Sequence, residues 1–387
     1  MKRIIVILSF VLIAIASCIK TNLEDISNKS IPNYSETLNS TELSATTQSN
    51  IIALDDNNFI TAIQDQNNNI QIIKITQEFL NDNWLLTSQT LLEVGQGNLA
   101  FFNTLENEYL IGYTSSRGYI LQVIDENINL SYMINDIESF IDTAYNNIDS
   151  IHFMNFSYAT EKQEVLLGGK LFSQGTSYSC LLSMDKTANL LWVKTYFENS
   201  TISNVLSIEN DNFLLLNTNE EGTELIRDDV TSNSYAKFDL TNDTLFFGSQ
   251  VFSSGNSVFL TGVHNDIGRT IEVNLQSNTA FVNEIDLYPV KDLKAVFLSR
   301  NNFVTAGIQV EGEIQSQFSS ELGSVGSLWC HRYIDEYYEK VLDIIEMPGK
   351  GVLVSAIVER DGKYYLHLTR IDEEGATFIN EYSENCI

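Results

Sequence analysis

From residue 50 onward, short runs of branched and aromatic residues alternate with clusters of Asn, Asp, Ser and Gly, and one version of that alternation returns seven times. A polar pair precedes an aromatic or branched residue, further apolar residues and often Gly or Ala. It reads NNFITA from Asn57, NEYLIG from Asn107, QEVLLGG from Gln163 and DNFLLL from Asp211. It continues as NSVFLTG from Asn256, NNFVTAG from Asn301 and KGVLVSA from Lys350. The anchor residues Phe59, Tyr109, Val165, Phe213, Val258, Phe303 and Val352 are 50, 56, 48, 45, 45 and 49 residues apart. A period of this length, held this evenly, marks a repeat architecture.

An independent marker keeps the same phase. Trp84, Trp192 and Trp329 follow their anchors by 25, 27 and 26 residues, and Phe378 follows Val352 by 26. In the fourth unit Phe238 and Phe246 compete for that position, and Phe238 is preferred. Within a unit the turn signals separate four short runs, in the last unit Val341–Met347, Gly351–Glu359, Tyr364–Asp372 and Ala376–Tyr382. Such runs are strands, and four per unit is the geometry of a propeller blade. The expected fold is therefore all-β, a seven-bladed propeller over residues 50–387, with blade seven packing on blade one without a strand shared between the termini. One long interval holds Ile137, Phe140, Ile141 and Tyr145 at near-helical spacing, which predicts a short inserted helix or capping loop.

The start of the chain follows a different pattern. Lys2 and Arg3 precede an apolar run from Ile4 to Ile15, and Ile15-Ala16-Ser17-Cys18 ends it. A basic end, a short apolar segment and small residues form a secretory leader, too short for a permanent membrane span. The four residues ending on Cys18 resemble the bacterial lipobox, which implies cleavage before Cys18 and acylation of that cysteine. Residues 1–17 are then the signal peptide. Residues 18–49 read as the lipidated Cys and a disordered polar tether, rich in Ser, Thr and Asn. Fully extended, that tether reaches about 100 Å.

Composition narrows the partners. The formal net charge is −29 and the pI is about 4.3. So acidic a surface is repelled by phosphate backbones and anionic headgroups, so nucleic acid is not an expected partner and membrane attachment rests on the lipid. Besides Cys18, the chain has Cys180, Cys330 and Cys386, which allow at most one internal bridge and no CxxC metal or redox motif. His152, His264, His331 and His367 fall in different units with no ligand-like spacing, so no metal is expected. HExxH, GxSxG and Walker-type motifs are absent. Asp55-Asp56 and Asp228-Asp229 carry calcium-type oxygens but lack the alternating ligands of a calcium loop, so both read as solvated turns. Arg117, Lys170, Arg269, Lys363 and Arg370 lie on or beside strands and are the candidates for side chains facing a central channel. No catalytic residue or cofactor is assigned.

Met184 through Tyr196, MDKTANLLWVKTY, is similar to the repeat of bacterial quinoprotein-like propellers and of propeller lipoproteins of Bacteroidota. The resemblance implies a propeller scaffold in the cell envelope, on an outer-membrane lipoprotein, and does not imply a quinone. Asp142-Thr143-Ala144, Asp149-Ser150-Ile151 and Asp243-Thr244-Leu245 also resemble the O-glycosylation triplet of that group. Two functions stay open. The first is a non-catalytic binding or scaffold module for a protein or glycan. The second is a propeller enzyme, a glycoside hydrolase or polysaccharide lyase, whose acidic, His or Arg residues would converge on the channel.

Overall fold

The structure is a computed structural model. It describes residues 34–371 and 383–385, except 46, 49, 81–82, 135–136, 138–140, 142–146, 160–161, 186–188, 209–211, 230–234, 239–245, 255–256, 266, 277–278, 285–289, 299–301, 310–313, 320–326, 334–337 and 348–350. The leader, Cys18, Phe378 and Cys386 lie outside the described residues.

The described strands form seven antiparallel sheets. Five are four-stranded blades of consecutive strands, spanning residues 51–96, 98–134, 148–198, 201–238 and 246–284, and a sixth has four consecutive strands over 290–333 plus a fifth from the end of the chain. All seven repeat anchors sit at the start of a second strand, from Asn58–Gln64 in the first blade to Val352–Arg360 in the last sheet. These strands bury almost every residue, as in Asn58–Gln64 and Val352–Arg360. A strand packed on both faces by neighbouring sheets needs a continuous apolar run rather than strict alternation. Outer strands such as Leu130–Ile134 stay largely exposed.

The small residues that end the repeated pattern have a packing cause. A Cβ on Gly112 would lie 2.6 Å from the Phe101 ring, and one on Gly168 would lie 2.4 Å from Val205 of the next blade. The hairpins between second and third strands are tight. Gln174-Gly175 and Asp361-Gly362 both take positive φ, as two-residue turns matching strand twist require.

The last sheet departs from expectation. Its strands Tyr338–Glu346, Val352–Arg360 and Lys363–Ile371 follow the expected order, but its outer strand is Tyr34–Leu43, paired antiparallel to Lys363–Ile371. The termini therefore share a sheet, and residues 34–43 are no part of a disordered tether. Leu38 and Leu43 bury among Ile51, Phe59 and Leu353, and the Thr37 hydroxyl meets His367 Nδ1 at 2.8 Å. An unpaired Lys363–Ile371 would be an open sheet edge; the N-terminal strand covers it. The expected strand Ala376–Tyr382 lies outside the described residues, and the chain end Ser383–Asn385 pairs instead with Ser327–Tyr333 in the sixth sheet.

The innermost strands contact one another in sequence order, and Tyr338–Glu346 contacts Ile51–Ala53, so the sheets form a closed ring. A polar side chain latches each junction. Gln64 accepts from Leu99 N–H (2.8 Å), Tyr119 donates to Phe153 C=O (3.0 Å) and Ser157 accepts from Ser207 N–H (3.0 Å). Thr223 accepts from Gly248 N–H (2.9 Å), Gln250 from Ala295 N–H (2.6 Å), Asp292 from Val341 N–H (3.0 Å) and Asp343 from Ile51 N–H (3.1 Å). Among the described residues, apolar clusters straddle six of the seven junctions beside them. Trp192 stacks on Phe213 across the third junction, with ring centroids 5.7 Å apart. Ile137 and Ile141, both helical and fully buried, join the core between the second and third sheets, while Phe140 and Tyr145 lie outside the described residues. Phe238 ends the fourth blade's outer strand and Phe246 begins the next blade.

Candidate functional site

Inner strands alone reach the axis of such a ring, and here they carry β-bulges. Register shifts fall between Leu99 and Phe101, Phe153 and Asn155, Ile202 and Asn204, and Val341 and Asp343. A bulge bends its strand and re-aims a side chain. The residues within these shifts, Ala100, Met154, Ser203 and Leu342, all line one central cavity of about 130 Å³. Phe101 and Phe156, 5.2 Å apart and tilted, form part of its apolar wall.

Its polar lining residues are Gln48, Asn50, Asn103, Asn155 and Ser203, with Lys294 and Lys340 from neighbouring inner strands. The Ser203 hydroxyl is also bonded to Leu216 C=O and Thr218 Oγ1, and Asn103 Oδ1 accepts from Thr104 N–H. Lys340 donates to Thr47 C=O at 3.5 Å. Burial lowers its pKa from the ordinary lysine value; Asp292 opposes that and the charge of Lys294 adds to it. Behind the wall, Asp343 is buried and its pKa is pushed up to about 7. Desolvation is the cause, partly offset by N–H donation from Ile51 and Ile344 and by the charge of Lys294.

None of the five basic residues anticipated for the channel lines it. Arg117 is exposed in a hairpin turn, and Lys170 lies over the Phe172 ring at 5.3 Å. Lys363 pairs with Glu42 at the surface. Arg269 is buried within the fifth blade, and Arg370, 1% exposed, donates to Asp56 C=O at 3.1 Å. The channel lysines were missed because they lie on inner strands, where bulges decide facing. Their one sequence signal is position on the run just before an anchor.

The remaining candidates are mostly structural. His367 sits between Thr37 and Tyr338, whose hydroxyl is 3.2 Å away. His152 packs edge-on against Phe172, and His264 is buried beside Asn265; the side chain of His331 lies outside the described residues. Among the described residues no group of three His, Cys, Asp or Glu side chains is placed to hold a metal ion. Asp55 is an exposed turn cap accepting from Asn57 N–H at 2.8 Å. Asp228 corrects the expectation of a solvated turn: it is 2% exposed, 2.7 Å from Lys194 Nζ and accepts from the Tyr196 hydroxyl at 2.8 Å. Its strand runs on to Asp229 and lies against the outer strand of the preceding blade. Cys180 is a buried free thiol, its pKa raised by desolvation. Asp149 and Ser150 begin the third blade's inner strand; the other two triplets lie outside the described residues. No described helix is long and apolar enough to cross a membrane.

Such a ring of four-stranded antiparallel sheets belongs to the class of all-β propellers, and solved structures share it. The BBS1N chain solved in complex with ARL6DN is 10% identical, with a TM-score of 0.53, over 89% of this chain and 99% of that one. Raptor of Chaetomium thermophilum is 10% identical, with a TM-score of 0.52, over 88% of this chain and 29% of that one. At this identity the likeness is one of fold. No protein-family model and no curated protein matches the chain.

Proposed function

We propose that the protein is a lipid-anchored binding module of the bacterial cell envelope. In this reading the composite sheet is the seventh blade, Cys18 carries the lipid at the outer membrane, and the propeller holds a protein or glycan partner without catalysis. The observation that carries the binding role is the channel lining. Glycoside hydrolysis typically relies on two carboxylates across the scissile bond, whereas the polar groups converging here are amides, a hydroxyl and two ammoniums. Such groups hold a ligand through hydrogen bonds and charge. The fold is compatible with a protein partner, since BBS1N was solved in complex with ARL6DN.

The test is incubation of the purified protein with envelope polysaccharide and envelope extract. Stoichiometric retention of a partner with no new reducing ends or unsaturated sugars is expected; turnover of polysaccharide would replace this reading with the enzymatic one. Anchoring is tested separately. Several acyl chains hold a protein firmly, so Cys18→Ser is expected to move it to the soluble fraction, and unchanged fractionation and mass would contradict lipidation.

A further inference from the structure

The central cavity sets two ammonium groups on adjacent inner strands of a chain whose net charge is −29. Two carboxylates act on these lysines through their charge and are also held by backbone N–H groups. Asp292 accepts from Val341 N–H, and Asp343 accepts from Ile51 and Ile344 N–H. They offset part of the positive charge from behind the wall, and neither lines the cavity. Around the lysines, the amides of Gln48, Asn50, Asn103 and Asn155 offer both donors and acceptors. An inorganic oxoanion has little use for acceptors, whereas sugar hydroxyls need both. The Phe101–Phe156 wall supplies an apolar surface for C–H faces. The acidity of the whole molecule repels polyanions and favours a ligand with a single charge.

We propose that this cavity binds an acidic sugar, with its carboxylate between Lys294 and Lys340 and its hydroxyls on the surrounding amides. The inference rests on the binding function above and names the ligand class of that site. Its test is isothermal titration of the full-length protein with sodium glucuronate, glucose and sodium sulfate. Glucuronate is expected to bind saturably and at least tenfold more tightly than either control. Lys294→Gln and Lys340→Gln are each expected to weaken it at least tenfold, about 1.4 kcal/mol, with the melting temperature retained. Lys340 is the more enclosed of the two, so Lys294→Gln decides the matter if Lys340→Gln misfolds. No saturable glucuronate binding, equal binding of glucose or sulfate, or indifference to Lys294→Gln would overturn the proposal. If glucuronate fails while a partner is still retained without turnover, only the ligand class falls; polysaccharide turnover would instead remove the binding function itself.

Discussion

Asp343 joins the last sheet to the first through Ile51 N–H while remaining buried and close to neutral in pKa. Its folded-state pKa, about 7, lies above the ordinary aspartate value of 3.8, so the folded protein binds this proton more tightly than the unfolded chain. The stability it contributes is full below pH 4 and is lost as pH rises toward 7, by on the order of a few kcal/mol. Asp55, Asp125 and Glu42 have lowered pKa values and stay ionised from pH 5 to 8, so they do not mask the effect. Denaturant midpoints for the wild type are expected to fall from pH 5 to pH 8, and Asp343→Asn should flatten that slope; an equal slope in both proteins would clear Asp343 of the role. Trp192 tests the packing role of the repeat-phase aromatics. It is half-buried against Phe213, so Trp192→Ala is expected to cost about 3 kcal/mol. Unchanged unfolding with lost ligand binding would make it a binding platform instead. The anchors were legible because core positions recur with the repeat; Lys294 and Lys340 were not, because each occurs once and its facing depends on local bulging.

Second strands were the most readable elements, since burial on both faces demands continuous apolar runs. An Asp-to-Asn turn recurs in three of the blades. Asp185 accepts from Asn189 N–H at 2.8 Å, and Asp65 and Asp125 cap Asn69 and Asn129 in the same way. The N-terminal strand was hidden because YSETLNSTEL carries only two large apolar residues, and its Thr and Ser hydroxyls read as solvated linker. Its pairing depends on an edge more than 300 residues away. Removing residues 1–43 is therefore expected to abolish cooperative unfolding, while removing residues 1–33 should leave the melting temperature intact. Equal melting of the two truncations would show the strand to be dispensable. At Gly169 a Cβ would stand 2.1 Å from the His152 carbonyl oxygen, so Gly169→Ala is expected to push the inner strand off its neighbour. That change should lower stability by more than about 1 kcal/mol, read by denaturant titration, and a neutral effect would contradict the close approach.

At the scale of the molecule, the described sheets form one ring in which every junction has a polar latch, and in which the last sheet borrows its outer strand from the other end of the chain. Pairing of residues 34–43 in that sheet takes them out of the tether expected over residues 18–49. The ring also explains how an acidic chain sets two lysines side by side: the inner strands converge there, with Asp292 and Asp343 behind the wall to moderate their charge. All of this depends on Tyr34–Leu43 being the outer strand of the last sheet. Native-state amide hydrogen exchange measures that pairing directly. The donors that bond Lys363–Ile371 should be protected to the same degree as those of Val352–Arg360 and open with them in one cooperative unit. Exchange across residues 34–43 at the rate of a free peptide would contradict the closed ring.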